Sequence, residues 1–223
     1  MKLKQILLEV TKNDILARQL TSKSLDLMKN DILNRDNIDK EYDDKFELDG
    51  KKFEFYSFLT FSDELNIPFH INAQYGKYSH TELYFIGFEI VINPKYKVRD
   101  LKNIYFDLLA TIRHEIEHYF QRHADDRFKK TRPVEPTNVY QAEYDKAEKS
   151  GDYRDYIRLP SEMQGNYKGI RLMAKKMGIP FEQAAGFYFS RMKGIDPAVA
   201  KKELIDYILK QERFKQYHHK LKK

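Results

Sequence analysis

Two histidines stand four residues apart in His114-Glu115-Ile116-Glu117-His118, with a glutamate directly after the first. On a helix, such residues differ by about 40° in azimuth and about 6 Å in height, so both imidazoles can converge on one ion. Glu115 falls on the adjacent face, where its carboxylate reaches a water on that ion without taking a coordination position. These residue types suit metal-assisted hydrolysis: an ion polarises water and substrate, and a carboxylate moves protons. The bland counterpart is a pair of histidines covering a solvated face beside Arg113 and Glu117.

Zinc that keeps a water needs a third protein ligand. His123 lies five residues beyond His118 and points elsewhere on the same helix. Gln121 and Ala124 occupy the places where His-Glu-x-x-His-x-x-Gly-x-x-His would require its glycine and third histidine. The third ligand is therefore expected from farther along the chain, and Glu162 is the best-placed residue. It sits about 100° to one side of the stripe Met163, Tyr167, Ile170, Ala174 and Met177, on a flank it shares with Asn166. That flank can face the histidine helix, and Asn166 is close enough to support an imidazole from behind. Glu135, Glu143 and Glu148 compete from an irregular charged segment, and a first-turn carboxylate such as Glu162 also suits a helix dipole alone.

These residues need elements to hold them. Leu101, Ile104, Tyr105, Leu108, Ile112, Ile116 and Phe120 keep three-and-four spacing, which predicts a helix of about six turns carrying the histidines. Upstream, Asp49-Gly50 is a two-residue hairpin signal between KFEL and the aromatic run KKFEFYSFLTF. Residues 84–92 read as a strand apolar on both faces, as if helices covered both. Downstream, LPSEMQ places Ser161 and Gln164 at capping-box spacing, and Gly178 ends the helix so opened. Further helices are expected over about 180–193 and, from an Asp196 cap and Pro197, through the chain end. The first 35 residues read as one or two helices, and Lys29 to Asp44 as a surface connection.

The chain has 223 residues, 41% apolar and 33% charged, enough for one domain with its own core. The expected organisation is a single domain over 1–223 with a helical N-terminal extension, 1–35, and a basic helix, 197–219. Cysteine is absent, which excludes disulfides, thiolate metal sites and a cysteine nucleophile. Most of the net charge of +6 falls in the last residues, Lys201 to Lys223, which hold eight basic and three acidic side chains. No signal-peptide core or membrane span is recognised, so the expected setting is cytoplasmic or phage-associated. No glycine-rich phosphate loop is present.

HEIEH followed by SEMQGN resembles the zincin metallopeptidases, in the branch where a glutamate on a downstream helix completes the site. Asn166 stands where the thermolysin-like pattern has an aspartate, and LPSE is similar to short metallopeptidase-like proteins of prokaryotes and phages. The resemblance implies an α+β zincin-like fold: a small mixed sheet, an active-site helix and a helical C-terminal half. It implies Zn2+ on His114, His118 and Glu162, Glu115 as general base toward a peptide or protein substrate, and endopeptidase action in preference to exopeptidase. Tyr140, Tyr144, Tyr153 and Tyr156 are candidate oxyanion donors, and the EIVINP strand is similar to the zincin edge strand that pairs with an extended peptide. Two alternatives belong to other classes: a non-enzymatic phage or host-interaction protein with a structural metal site, and nucleic-acid binding through the basic helix. No nucleic-acid reading module accompanies that helix, which instead suits solubility or a protein contact.

Overall fold

The computed structural model describes residues 11–34, 40–48, 51–78, 83–96, 101–123, 145, 149, 153–192 and 195–221, with the backbone alone at 40, 48, 77, 122–123, 153–154 and 212–221. Its first helix, α1 (Lys12–Asn34), opens on a reciprocal cap: Asp14 N–H donates to Thr11 Oγ1 at 3.2 Å, and Thr11 N–H to Asp14 Oδ2 at 3.0 Å. Ala17, Leu20, Leu25, Met28 and Ile32 form its buried stripe. The helix runs past Lys29, and strand β1 (Lys40–Leu48) begins well before Asp44, so the expected surface connection shrinks to a short link. Charge disguised the first half of β1, ahead of KFEL, because it is an edge strand. Glu41, Asp43, Lys45 and Glu47 are exposed and alternate with half-buried Tyr42, Asp44 and Phe46.

β1 pairs antiparallel with β2 (Lys51–Phe61), Leu48 opposite Lys51 and Phe46 opposite Phe53, which is the hairpin expected at Asp49-Gly50. Strand β3 (Phe69–Lys77) was not anticipated; β4 (Tyr84–Ile92) was. The order is β1-β2-β4-β3, with β2 and β4 parallel and the other pairs antiparallel. β4 is therefore interior, and the expectation that EIVINP forms an edge is corrected: β3 is the edge beside it. The expected helical cover on both faces of β4 is also corrected. Tyr84, Ile86, Phe88, Ile90 and Ile92 pack into the core with α1 and the histidine helix, whereas among the described residues no helix covers the other face.

The histidine helix is α2 (Lys102–His123), buried at every residue from 106 to 119. One side meets the sheet and α1; the other meets the helical half, α3 (Tyr153–Ile157), α4 (Pro160–Met177), α5 (Phe181–Phe189) and α6 (Pro197–Leu221). The expected stripe of α4 packs into a second core, where Met163, Ile170 and Ala174 meet Phe106 and Ala110 of α2. Gly178 ends α4 in the left-handed region at φ 71°, its N–H donating to the Ala174 carbonyl. The N-terminal capping box expected at Ser161 is not formed. The N-cap is Leu159, Pro160 takes the first turn, Ser161 Oγ is buried without a hydrogen-bond partner, and Gln164 turns to another helix. Asp196 does cap α6, accepting from Ala198 N–H at 2.8 Å. None of the described helices is long and apolar enough to cross a membrane.

Candidate metal centre

His114, Glu115 and His118 are all buried, and each offers a ligand atom within 4.8 Å of the other two. The α4 helix brings Glu162 to the same point. Its Oε2 lies 3.1 Å from His114 Nε2 and its Oε1 lies 3.2 Å from His118 Nε2, while the two Nε2 atoms are 2.8 Å apart. Three donors each about 2.0–2.2 Å from a tetrahedral zinc lie roughly 3.3 Å from one another, so this triangle is of ligand-set size.

The other ring nitrogens decide what the triangle can hold. Gln121 donates its amide N–H to the Ser161 carbonyl at 3.0 Å, which turns its Oε1 toward His118 Nδ1, 2.8 Å away. An amide oxygen only accepts, so His118 carries its proton on Nδ1. Asn166 Oδ1 does the same for His114 Nδ1 at 3.0 Å. Both Nε2 lone pairs are thereby directed into the cluster, facing each other and a carboxylate, an arrangement that calls for positive charge at its centre. Burial opposes charge on His118, but the neighbouring Glu162 carboxylate outweighs it and pushes the imidazole up to about 9. Burial likewise opposes ionisation of Glu162, and His118 and His114 together hold it well below the usual carboxylate range. A proton meets the demand, and a divalent cation that displaces it meets it better. The donor set fits zinc.

Glycine lets the helices come this close. A Cβ at Gly165 would lie 2.8 Å from the His114 ring, and one at Gly169 would lie 2.2 Å from the Ala110 carbonyl oxygen. Behind the histidines, Arg113 and Glu117 are buried rather than solvated. Arg113 Nε donates to Asp14 Oδ1 at 2.9 Å and its terminal nitrogens to Glu117 Oε2 at 3.1 Å. Gln164 Nε2 donates to Glu117 Oε1 at 2.8 Å, and Arg171 Nη2 to Asp14 Oδ2 at 2.8 Å. Burial works against the Asp14 carboxylate, yet the Thr11 N–H, Arg171 and Arg113 lower its pKa overall. The ion network ties α1, α2 and α4 together beside the cluster.

In front of the cluster is a cleft of about 320 Å³, lined by His70 to Ala73 of β3, Thr111, His114 and Glu115 of α2, and Tyr156, Glu162, Tyr188 and Met192. Of the four tyrosines considered as donors, Tyr156 lines it; Tyr140 and Tyr144 lie outside the described residues, as does the side chain of Tyr153. Glu135, Glu143 and Glu148 also lie outside them. The sequence offered no sign of Gln121 or His70, since one depends on a carbonyl from α4 and the other on a strand that shows no clear pattern. No family model matches the chain, and no curated protein or solved structure does.

Proposed function

We propose that the chain is a zinc-dependent peptidase of the glutamate-ligand zincin type that hydrolyses peptide bonds in a polypeptide lying along the cleft. The triangle of His114 Nε2, His118 Nε2 and the Glu162 carboxylate, with Glu115 on the wall of an open cleft, carries this reading. His114, His118 and Glu162 would hold the ion. When bound there, zinc supplies Lewis acidity and lowers the pKa of a water. Glu115 accepts a proton from the attacking water and passes it to the leaving amine. Asn166 and Gln121 hold the imidazoles in the tautomer that keeps both Nε2 atoms available. Tyr156, which also lines the cleft, is the favoured hydroxyl donor to the substrate carbonyl oxygen. The edge strand β3 offers main-chain pairing to an extended segment, which suits cleavage within a chain rather than at its ends.

The test separates the base from the ligands. Glu115→Gln keeps shape and zinc but lowers turnover of a quenched peptide library about 10²-fold or more, whereas His114→Ala and His118→Ala lose both zinc and turnover. Full turnover in Glu115→Gln would rule out its assigned role. Stoichiometric zinc in a wild-type chain that cleaves no peptide would leave the metal structural and the proposal wrong.

A further inference from the structure

The face of the sheet turned away from α2 carries rows of side chains aligned by the strand register. One row is Glu41, Phe58, Glu89 and Asn72; the next is Asp43, Tyr56, Gly87 and Gln74. Two glycines shape it. A Cβ at Gly87 would meet the Tyr56 ring at 2.2 Å, and one at Gly76 would meet the Phe85 ring at 2.3 Å, so both rings lie flat against the neighbouring backbone. Beside the Tyr56 ring opens a hollow of about 580 Å³ whose lining includes Tyr56, Phe58, Thr60, Asn72 and Glu89.

Glu89 stands at the centre of this hollow on the interior strand. Thr60 Oγ1 donates to its Oε1 at 3.0 Å and Asn72 Nδ2 to its Oε2 at 3.3 Å, while no described lysine or arginine pairs with it. Its neighbour across the register is Phe58, an exposed aromatic ring, with the Glu41 carboxylate beyond. The face as a whole sets Glu41, Asp43, Glu47, Glu54 and Glu89 against Lys45 and Lys52. A carboxylate beside aromatic faces recognises an ammonium or guanidinium group, by charge-assisted hydrogen bonds and by cation–π attraction. The hollow and the cleft adjoin at the β3 edge, where Asn72 and Ala73 line both.

We propose that this face is an exosite: it binds a lysine- or arginine-bearing stretch of the polypeptide whose scissile bond enters the cleft beside Glu115. The coupling to cleavage rests on the peptidase reading; the binding itself does not. A chain extended along β3 would pass over Asn72 and bring a cationic side chain down onto Glu89 and Phe58, which adds affinity without touching the reacting atoms.

The test uses the full zinc-loaded chain carrying Glu115→Gln and two fluorescein-labelled peptides, one alternating lysine with alanine and one alternating glutamate with alanine. Fluorescence anisotropy should show the lysine peptide binding about 10-fold tighter or better, with most of that preference lost in Glu89→Gln and again in Phe58→Ala. In the active chain, Glu89→Gln should raise KM for a lysine-extended substrate with kcat unchanged, and leave an uncharged substrate unaffected. Equal binding of the two peptides, or lysine binding indifferent to both substitutions, would overturn the exosite. The two proposals fail separately. Lysine-peptide binding through Glu89 in a chain that cleaves nothing refutes the peptidase alone, whereas cleavage with no lysine preference refutes the exosite alone.

Discussion

Each imidazole of the cluster has one nitrogen committed by a protein amide, His114 Nδ1 to Asn166 and His118 Nδ1 to Gln121, and so has only Nε2 to offer an ion. Loss of either amide frees the ring to turn and to change tautomer. Gln121→Ala and Asn166→Ala should each weaken zinc binding by roughly 10–100-fold, read by competition with a chromogenic chelator. Glu162→Ala should weaken it more severely, because it removes the carboxylate as well as its orientation; full retention of zinc by that variant would remove Glu162 from the ligand set. The spacing of His114, Glu115 and His118 was legible because it is local, and Glu162 and Asn166 could be placed on one flank by helical periodicity alone. Gln121 could not, since its orientation comes from a carbonyl on α4. Arg113 and Glu117 look like surface charges in sequence, and only the arrival of Asp14 and Gln164 makes them buried partners.

At the scale of elements, the centre exists because α2 and α4 approach closely enough to share it, and two glycines on α4 permit that approach. At Gly169 a methyl group would meet main-chain oxygen, which cannot rotate away, so Gly169→Ala should force the helices apart and cost about 1–3 kcal/mol in urea unfolding. Gly165→Ala meets a side-chain ring instead, so its larger effect should be on zinc affinity. On the adjoining face of α2, Arg113→Ala would leave Glu117 a buried charge without its guanidinium and Asp14 with Arg171 alone. A loss of roughly 3–5 kcal/mol is expected, with a neutral response indicating that the network adds no stability. Strong periodicity made α2, α4, β2 and β4 readable. β3 was not, because an edge strand half-exposed on both faces mixes His70, Asn72 and Gln74 with Ile71 and Tyr75, and the first half of β1, ahead of KFEL, was hidden by its outward charges.

In the whole molecule, α2 is the shared wall of two cores, and the sheet and the helical half also meet directly around the end of the cleft. There Asp107 of α2 pairs with Arg191, whose guanidinium lies 5.0 Å from the centre of the Phe69 ring at the start of β3. Burial pushes the Asp107 carboxyl up to about 6, only partly offset by Arg191, and its Oδ1 has no hydrogen-bond partner. An acid whose folded pKa exceeds its unfolded value binds more protons folded than unfolded between the two, so its contribution to stability falls as pH rises from about 4 to about 6 and is level above. Asp14 has the opposite sign: its pKa is lowered, so its contribution is present above the ordinary carboxylate range and is lost on stronger acidification. The two windows barely overlap, which allows Asp107 to be isolated. Asp107→Asn resembles the protonated acid, so near pH 4 its stability should stay close to that of the native chain. By pH 7 the native chain carries the cost of a buried charge and the variant does not, and the difference should move in the variant's favour by on the order of 2–3 kcal/mol. Urea unfolding of both proteins at pH 4, 5, 6 and 7 measures this, and a difference that stays constant across the series would mean that Asp107 titrates alike in the folded and unfolded chain.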